Sequence, residues 1–304
     1  MLLVIEQLLN GLQLGITLFL MSAGLTLVFG IMQVINLAHG SFYMIGAYVG
    51  ATVAACTGSF LLGIAGAVAA AMLAGCLVEI LVLRHLYHRE HLDQVLATFG
   101  LIMFFNELTR MVWGRQPLFV EVPAWLATSI ELLPGLPYPA YRLAVIAVGL
   151  LVAGALWLVF AKTRLGMQIR AGAVNRDMIG ALGVNIKLLY TLVFGLGALL
   201  AGLAGIMAGP ILAVESGMGE SILILTFVVI VIGGIGSIRG AVAGALLVGM
   251  VDTMGRAFLP SILRLVMATS TADGVAASLA SMAIYILMAI ILVWKPRGLF
   301  PAHA

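Results

Sequence analysis

Charged residues are scarce in this chain. Asp, Glu, Lys and Arg make up 9% of its 304 residues, whereas a soluble domain contains about 25%. Hydrophobic residues make up 63%. This composition excludes a soluble globular protein and predicts a polytopic membrane protein, with the lipid bilayer as its solvent. The net charge of +3 comes without a basic patch interleaved with aromatic residues, so we expect no nucleic-acid partner.

Cysteine and N-terminal positive charge are scarce as well. The two cysteines, Cys56 and Cys76, lie in apolar segments, so we expect free thiols and no structural disulfide. No lysine or arginine precedes Arg84, and a secretory signal needs a positively charged beginning. We therefore expect no signal peptide.

Motifs for catalysis and nucleotide binding are missing from the sequence. The P-loop motif GxxxxGK[ST] does not occur, because none of the three lysines follows a glycine. HExxH, GxSxG and SxxK are absent as well. Series of Asp, Glu or Lys residues in the middle of a span, as an ion-coupled carrier can contain, are also missing from the sequence. The sequence therefore predicts a protein that is not an enzyme, has no cofactor of its own and depends on a separate ATPase that binds ATP.

Long apolar segments fill most of the chain. A helix needs about 20 mostly apolar residues to cross a bilayer, and several of these segments are short or broken by glycine. They predict an all-α fold of about eight to ten transmembrane helices, some broken or re-entrant, in one domain over residues 1–304. The candidate segments are residues 8–29, 41–56, 61–83, 95–113, 142–160, 188–211, 221–235, 240–257 and 278–294.

The distribution of positive charge predicts the orientation. Lysine and arginine collect in cytoplasmic loops of membrane proteins. If the C-terminus is cytoplasmic, ten of the fifteen Lys and Arg residues lie inside and five lie outside. We therefore expect a cytoplasmic C-terminus and a periplasmic N-terminus in a bacterial inner membrane. The proline-rich residues 114–141 form the largest outer segment, and we expect an ordered loop or a short surface helix there.

The longest run that cannot lie in a bilayer is Lys162–Gly183, within a loop over residues 161–187. Asn175 is a suitable N-cap, and Gly183 is a suitable stop. These signals predict a helix of about two turns over residues 176–182. Such a helix between two spans suits a docking role in the cytoplasm. An ordinary basic loop and a helix lying on the lipid surface are the alternatives.

The predicted short helix has a polar beginning and an apolar side. Asp177 lies in the first turn, where the helix dipole favours a negative charge. Met178, Ile179 and Leu182 fall on one side, since residues three and four apart share a face.

Polar residues interrupt the apolar sequence after the first span. Asn36 and His39 are costly in lipid, so they should face protein or water. Gly30 and Gly40 bracket them and permit a break in the helix. Backbone groups freed by such a break could bind a polar solute. A tight bend that serves only packing is the alternative.

A second broken segment resembles the first. Leu25-Thr26 and Gly40 recur as Leu225-Thr226 and Gly240, at an offset of 200 residues, which suggests a weak internal repeat. Glycine-broken segments at corresponding positions of two halves indicate a translocation site. Backbone groups of the second segment are also candidates for binding a solute. The glycines concerned are Gly233, Gly234 and Gly236.

Two charged clusters lie near the predicted inner boundary. Glu79 and Arg84 are close enough to form an interfacial ion pair. His85, His88 and His91 recur every third residue, a spacing that permits a metal site. A solvated cytoplasmic turn is the favoured interpretation, so we expect no metal there.

Three stretches together resemble the LivH-type permeases of branched-chain amino acid ABC importers, and the terminal KPRGLFP is similar to that family as well. The stretches are GLTLVFGIMQVINLAHGSFYMIGAYVGA, LGMQIRAGAVNRDMIGALGVN with GLGALLAGLAGIMAGP after it, and IVIGGIGSIRGAVAGALLVG. The resemblance implies an inner-membrane permease that pairs with a second, related permease, two cytoplasmic ATPases and a periplasmic binding protein. Permeases for amides, urea or aromatic acids belong to the same family, and a transporter or channel working alone is a further alternative.

The resemblance also implies that the loop matching Arg170–Gly183 contacts the ATPase. The residues assigned to ATPase coupling are Arg170, Asn175, Arg176, Asp177, Met178, Ile179, Leu182 and Gly183. The residues assigned to the translocation path are Asn36, His39, Gly40, Gly233, Gly234 and Gly236.

Overall fold

The computed structural model of the chain describes residues 2–34, 36–87 and 89–301, apart from the side chains of Arg176, Asp177 and Ser270. Its helices are α1 (Leu2–Met32), α2 (His39–Thr57), α3 (Phe60–Leu81), α4 (His91–Trp113), α5 (Ala140–Lys162), α6 (Arg164–Val174), α7 (Arg176–Ala181), α8 (Ile186–Ala208), α9 (Met218–Gly233), α10 (Ile238–Leu263) and α11 (Thr269–Trp294). Short 3₁₀ turns at Leu83–His85 and Ala124–Leu126, and strands β1 (Ser129–Leu133) and β2 (Leu136–Pro139), complete the described elements.

Each of the nine predicted apolar segments lies on a helix. Within the described residues, seven helices are long and apolar enough to cross a membrane: α1, α3, α4, α5, α8, α10 and α11. The other two segments form shorter helices, α2 with 19 residues and α9 with 16. The all-α polytopic fold is thereby confirmed, and the chain is a multi-pass membrane protein.

The chain divides into two compact units. Unit 1 comprises Met1–Ser22, Ala124–Gly149 and Leu225–Ala304, and unit 2 comprises Ala23–Pro123 and Leu150–Ile224. Helices α1, α5 and α9 each contribute residues to both units.

The core of unit 2 is built where α2, α3 and α8 pack together. Small residues line these contacts: a Cβ added to Gly202 would collide with Ala71 of α3, and one added to Gly46 would collide with Gly202. Gly205 lies equally close to the backbone of Tyr43. Helices in lipid gain little from burying apolar surface, so close backbone approach is what stabilises their packing.

Unit 1 uses glycine in the same way. A Cβ added to Gly249 of α10 would lie 2.6 Å from the carbonyl oxygen of Gly11 in α1. Gly233 and Gly240 bring the end of α9 against the beginning of α10. At these pairs the helix backbones approach so closely that a side chain larger than hydrogen would not fit.

Residues 114–141, which the sequence predicts to be an ordered outer loop or a short surface helix, contain a β-hairpin that no sequence signal indicated. Strands β1 and β2 pair antiparallel, with Gly135 in the turn at φ 84°. Tyr138 is buried and donates a hydrogen bond of 3.1 Å to the side-chain oxygen of Asn10. Proline is uncommon inside strands, and for this reason the proline-rich sequence predicts a loop here.

Helices α10 and α11 extend beyond the predicted segments 240–257 and 278–294. The α11 extension, residues 269–277, is rich in small and polar residues, whereas the α10 extension, residues 258–263, is mostly apolar and contains Pro260, a residue that usually ends a helix. An ion pair of 2.8 Å between Arg264 and Asp273 links the two ends.

Candidate functional site

The loop over residues 161–187, called the coupling loop below, contains two helices where the sequence predicted one. The Thr163 hydroxyl accepts a hydrogen bond of 3.2 Å from the amide of Gly166 and caps the beginning of α6. Gly166, Ile169 and Gly172 are buried along one side of α6. The cap and this spacing of three residues were the missed signals.

Helix α7 confirms the predicted short helix, with a difference of one residue at its end. The Asn175 side chain accepts a hydrogen bond of 3.0 Å from the amide of Met178, as expected for an N-cap. Gly183 follows with φ 87°, and the amide of Val184 bonds back to the carbonyl of Ile179 at 3.2 Å. The left-handed glycine therefore ends the helix as predicted.

Of the three residues on the predicted apolar side of α7, one is buried within the protein and two are exposed. Ile179 is only 6% exposed, whereas Met178 is 64% exposed and Leu182 is 77% exposed. The expectation that all three residues face a partner is therefore wrong for Ile179. The reason is that this short helix packs on α8: Gly180, which follows Ile179, lies against Ile186.

Four large apolar side chains of the coupling loop are exposed. They are Met167, Val174, Met178 and Leu182, which we call the exposed set. Arg170, by contrast, bonds within the chain, because its guanidinium donates to the carbonyl of Phe160 in α5. The side chains of Arg176 and Asp177 lie outside the described residues.

A buried carboxylate links α3 to the beginning of α8, directly after the coupling loop. Glu79 is fully buried and pairs with Arg84 at 3.0 Å, which confirms the predicted ion pair. It also accepts hydrogen bonds from the hydroxyls of Tyr87 at 2.7 Å and Thr191 at 2.6 Å, which no sequence signal indicated. Burial, and then this hydrogen bond to the carboxylate, raise the pKa of the Tyr87 phenol.

The first predicted break is confirmed. Helix α1 continues through Gly30 and ends at Met32, and α2 begins at His39. Asn36 and His39 are both 0% exposed, in unit 2. The Asn36 carboxamide makes no hydrogen bond within the described residues, although it is a strong donor and acceptor. The Gly40 backbone lies against that of Gly219 at the beginning of α9.

The second break is also confirmed, but its backbone is bonded within the chain. Gly234 and Gly236 have φ values of 107° and 80°, which favour glycine. The amide of Phe300 donates to the carbonyl of Gly233 at 2.9 Å, and that of Leu299 donates to Ile232 at 2.9 Å. The expectation that the Gly233 carbonyl is free for a solute is therefore wrong, because the C-terminal KPRGLFP segment occupies it.

The structure thus gathers the predicted path residues into two local groups. Asn36, His39 and Gly40 lie together in unit 2, and Gly233, Gly234 and Gly236 lie together in unit 1. Among the described side chains, no three His, Cys, Asp or Glu residues are placed to hold a metal ion. His88 lies outside the described residues.

The sequence of the chain is similar to a known family of proteins. Residues 7–292 match the family described as "Branched-chain amino acid transport system / permease component". The chain is 30% identical over 270 residues to the high-affinity branched-chain amino acid transport system permease protein LivH of Escherichia coli K12, covering 84% of this chain and 87% of that protein. It is 31% identical over 263 residues to the permease protein BraD of Pseudomonas aeruginosa, covering 83% and 86%. No solved structure matches the chain.

Proposed function

The chain belongs to the family of permease components of branched-chain amino acid transport systems, and we propose that it imports branched-chain or related amino acids with energy from ATP hydrolysed by other subunits. A permease component is not itself an enzyme. Its work is to hold a path through the membrane and to open that path on one side at a time.

The proposed assembly contains a second, related permease, two cytoplasmic ATPases and a periplasmic binding protein. The exposed set on the coupling loop is the observation that supports the ATPase contact. Met178 and Leu182 are large apolar side chains on a capped helix whose own anchor, Ile179, is already buried. Full burial of such a side chain is worth about 1.5–3 kcal/mol, and because both are still largely exposed, about 1–2 kcal/mol of this is available to a partner from each.

Movement of the ATPases would be transmitted to the membrane-spanning helices through contacts of the coupling loop with α8. Helices α6 and α7 contact the beginning of α8, where Gly172 packs on Leu189 and Gly180 packs on Ile186. One turn later, Thr191 is bonded to Glu79. ATP binding that displaces the coupling loop would therefore shift α8 together with α3, a rigid-body step of the kind that opens and closes transport paths.

We assign Asn36, His39 and Gly40 to the solute path. A buried carboxamide without a hydrogen bond is costly unless water or a solute satisfies it. Gly233, Gly234 and Gly236 stay predictions for the path. The orientation with the C-terminus in the cytoplasm of a bacterial inner membrane and the N-terminus in the periplasm follows from the charge distribution.

Reconstitution tests this function. The permease is purified with its co-encoded partners and placed in proteoliposomes loaded with ATP, and uptake of labelled leucine is followed with the binding protein outside. We expect uptake that requires ATP, the ATPases and the binding protein. Uptake by the permease alone would indicate an independent transporter or channel, and uptake of an amide, urea or an aromatic acid in place of leucine would reassign the solute.

A further inference from the structure

The residues between α1 and α2 combine two unfavourable features. We call the described residues 33, 34 and 36–38 the α1–α2 junction. Gln33 has a φ of 52°, in the left-handed region, whereas the eight other described residues with a positive φ are all glycines. A residue with a Cβ is strained in this conformation, so glycine is usual at such a helix end.

The side chain of Asn36 is the second unfavourable feature. Asn36 is 0% exposed, and neither the oxygen nor the nitrogen of its carboxamide makes a hydrogen bond within the described residues. In this conformation neither water nor a solute can reach the group. The hydrogen bond from the amide of His39 to the carbonyl of Asn36 is 3.4 Å, longer than the usual range of about 2.7–3.2 Å. A buried carboxamide without partners raises the free energy of the conformation that buries it.

The two features oppose the packing of the junction. Val34 and Ala38, which are both buried, hold the junction in place. Strained backbone and unpaired buried groups persist only where the surrounding structure holds them, and they are common at sites that change conformation. A movement that takes Gln33 out of the left-handed region and exposes Asn36 would remove both costs at once.

We propose that the α1–α2 junction is the gate of the solute path, and that the described conformation is its closed state. In the open state Gln33 leaves the left-handed region, and the Asn36 carboxamide bonds to water or to the solute. Strain in the closed state brings the two states close in free energy, so a small displacement by the other subunits is enough to shift the equilibrium. This proposal rests on the proposed function and adds to it the element that closes the path.

The test measures how often the gate opens. Asn36→Cys, in a background without the native cysteines, places a thiol at the buried position, and the permease is assembled with its ATPases in lipid nanodiscs, where a reagent reaches both faces. The rate at which a charged methanethiosulfonate reagent modifies this thiol measures the open fraction. Gln33→Gly removes the strain of the closed state and should lower the rate about tenfold. Gln33→Val, whose branched side chain is disfavoured in the left-handed region, should raise it.

Gly58→Gln is the matched control. Gly58 ends α2 with a φ of 68°, and an added Cβ would have no neighbour within 4 Å, so the substitution introduces the same strain at a helix end outside the junction. The modification rate should stay unchanged. In a chain that retains Asn36, Gln33→Gly should lower leucine uptake by the reconstituted importer. Asn36→Leu replaces the unpaired carboxamide by an apolar group of similar size and should raise the unfolding temperature.

Equal modification rates with glutamine, glycine and valine at position 33 would overturn the gate. A lower unfolding temperature in Asn36→Leu would show that the carboxamide is bonded in the closed state, and it would overturn the proposal as well. If Gln33→Val fails to fold, the rate in Gln33→Gly decides. The modification rates need no solute, so they are independent of what is transported. Absence of leucine uptake by the wild type, with rates in the expected order, would refute the proposed function and leave the gate in place.

Discussion

Leu182→Asp tests whether the coupling loop docks on an ATPase. Full burial of a leucine side chain is worth about 1.5–3 kcal/mol, and Leu182 is 77% exposed, so about 1–2 kcal/mol of that value is still available to a partner. The aspartate would lose this burial and would add the cost of removing a carboxylate from water. The affinity of the ATPase should therefore fall at least about tenfold.

Co-purification of the ATPase with the tagged permease, at matched expression, measures this loss. Leu265→Asp is the matched control, because Leu265 is an equally exposed leucine in the turn between α10 and α11, outside the coupling loop. We expect full ATPase recovery with Leu265→Asp and strongly reduced recovery and uptake with Leu182→Asp. Full recovery and normal uptake with Leu182→Asp would refute the docking role of α7.

Three further predictions concern stability and topology. Glu79→Ala breaks a buried pair with Arg84 and should destabilise the detergent-solubilised protein by about 3–5 kcal/mol in chemical unfolding; a loss under about 1 kcal/mol would contradict the importance of the network. Gly202→Val should reduce folded protein in membranes, because its side chain meets α2 and α3, whereas Gly154→Val has no neighbour within 4 Å and should be tolerated. Val174→Cys, in a background without the native cysteines, should react with impermeant reagents only from the cytoplasm; labelling from the periplasm would reverse the orientation.

The sequence by itself determined the features that depend on near neighbours in the chain. Apolar length predicted the helices, the interruption at Asn36 and His39 predicted a break, and Asn175 with Gly183 predicted the bounds of α7 to within a residue. Ion pairs at short spacing were predictable for the same reason, since one turn of helix brings such side chains together.

Only the tertiary structure decided which side chains are buried and which polar groups are hydrogen-bonded to distant parts of the chain. Ile179 is buried although Met178 beside it is exposed, because the packing of α7 on α8 selects one side of the helix. The Gly233 carbonyl is bonded to the amide of Phe300, 67 positions later, and Glu79 is bonded to Thr191, 112 positions later. Local periodicity and capping contain no information on contacts at such separations, because these contacts exist only once distant helices have packed through their glycines.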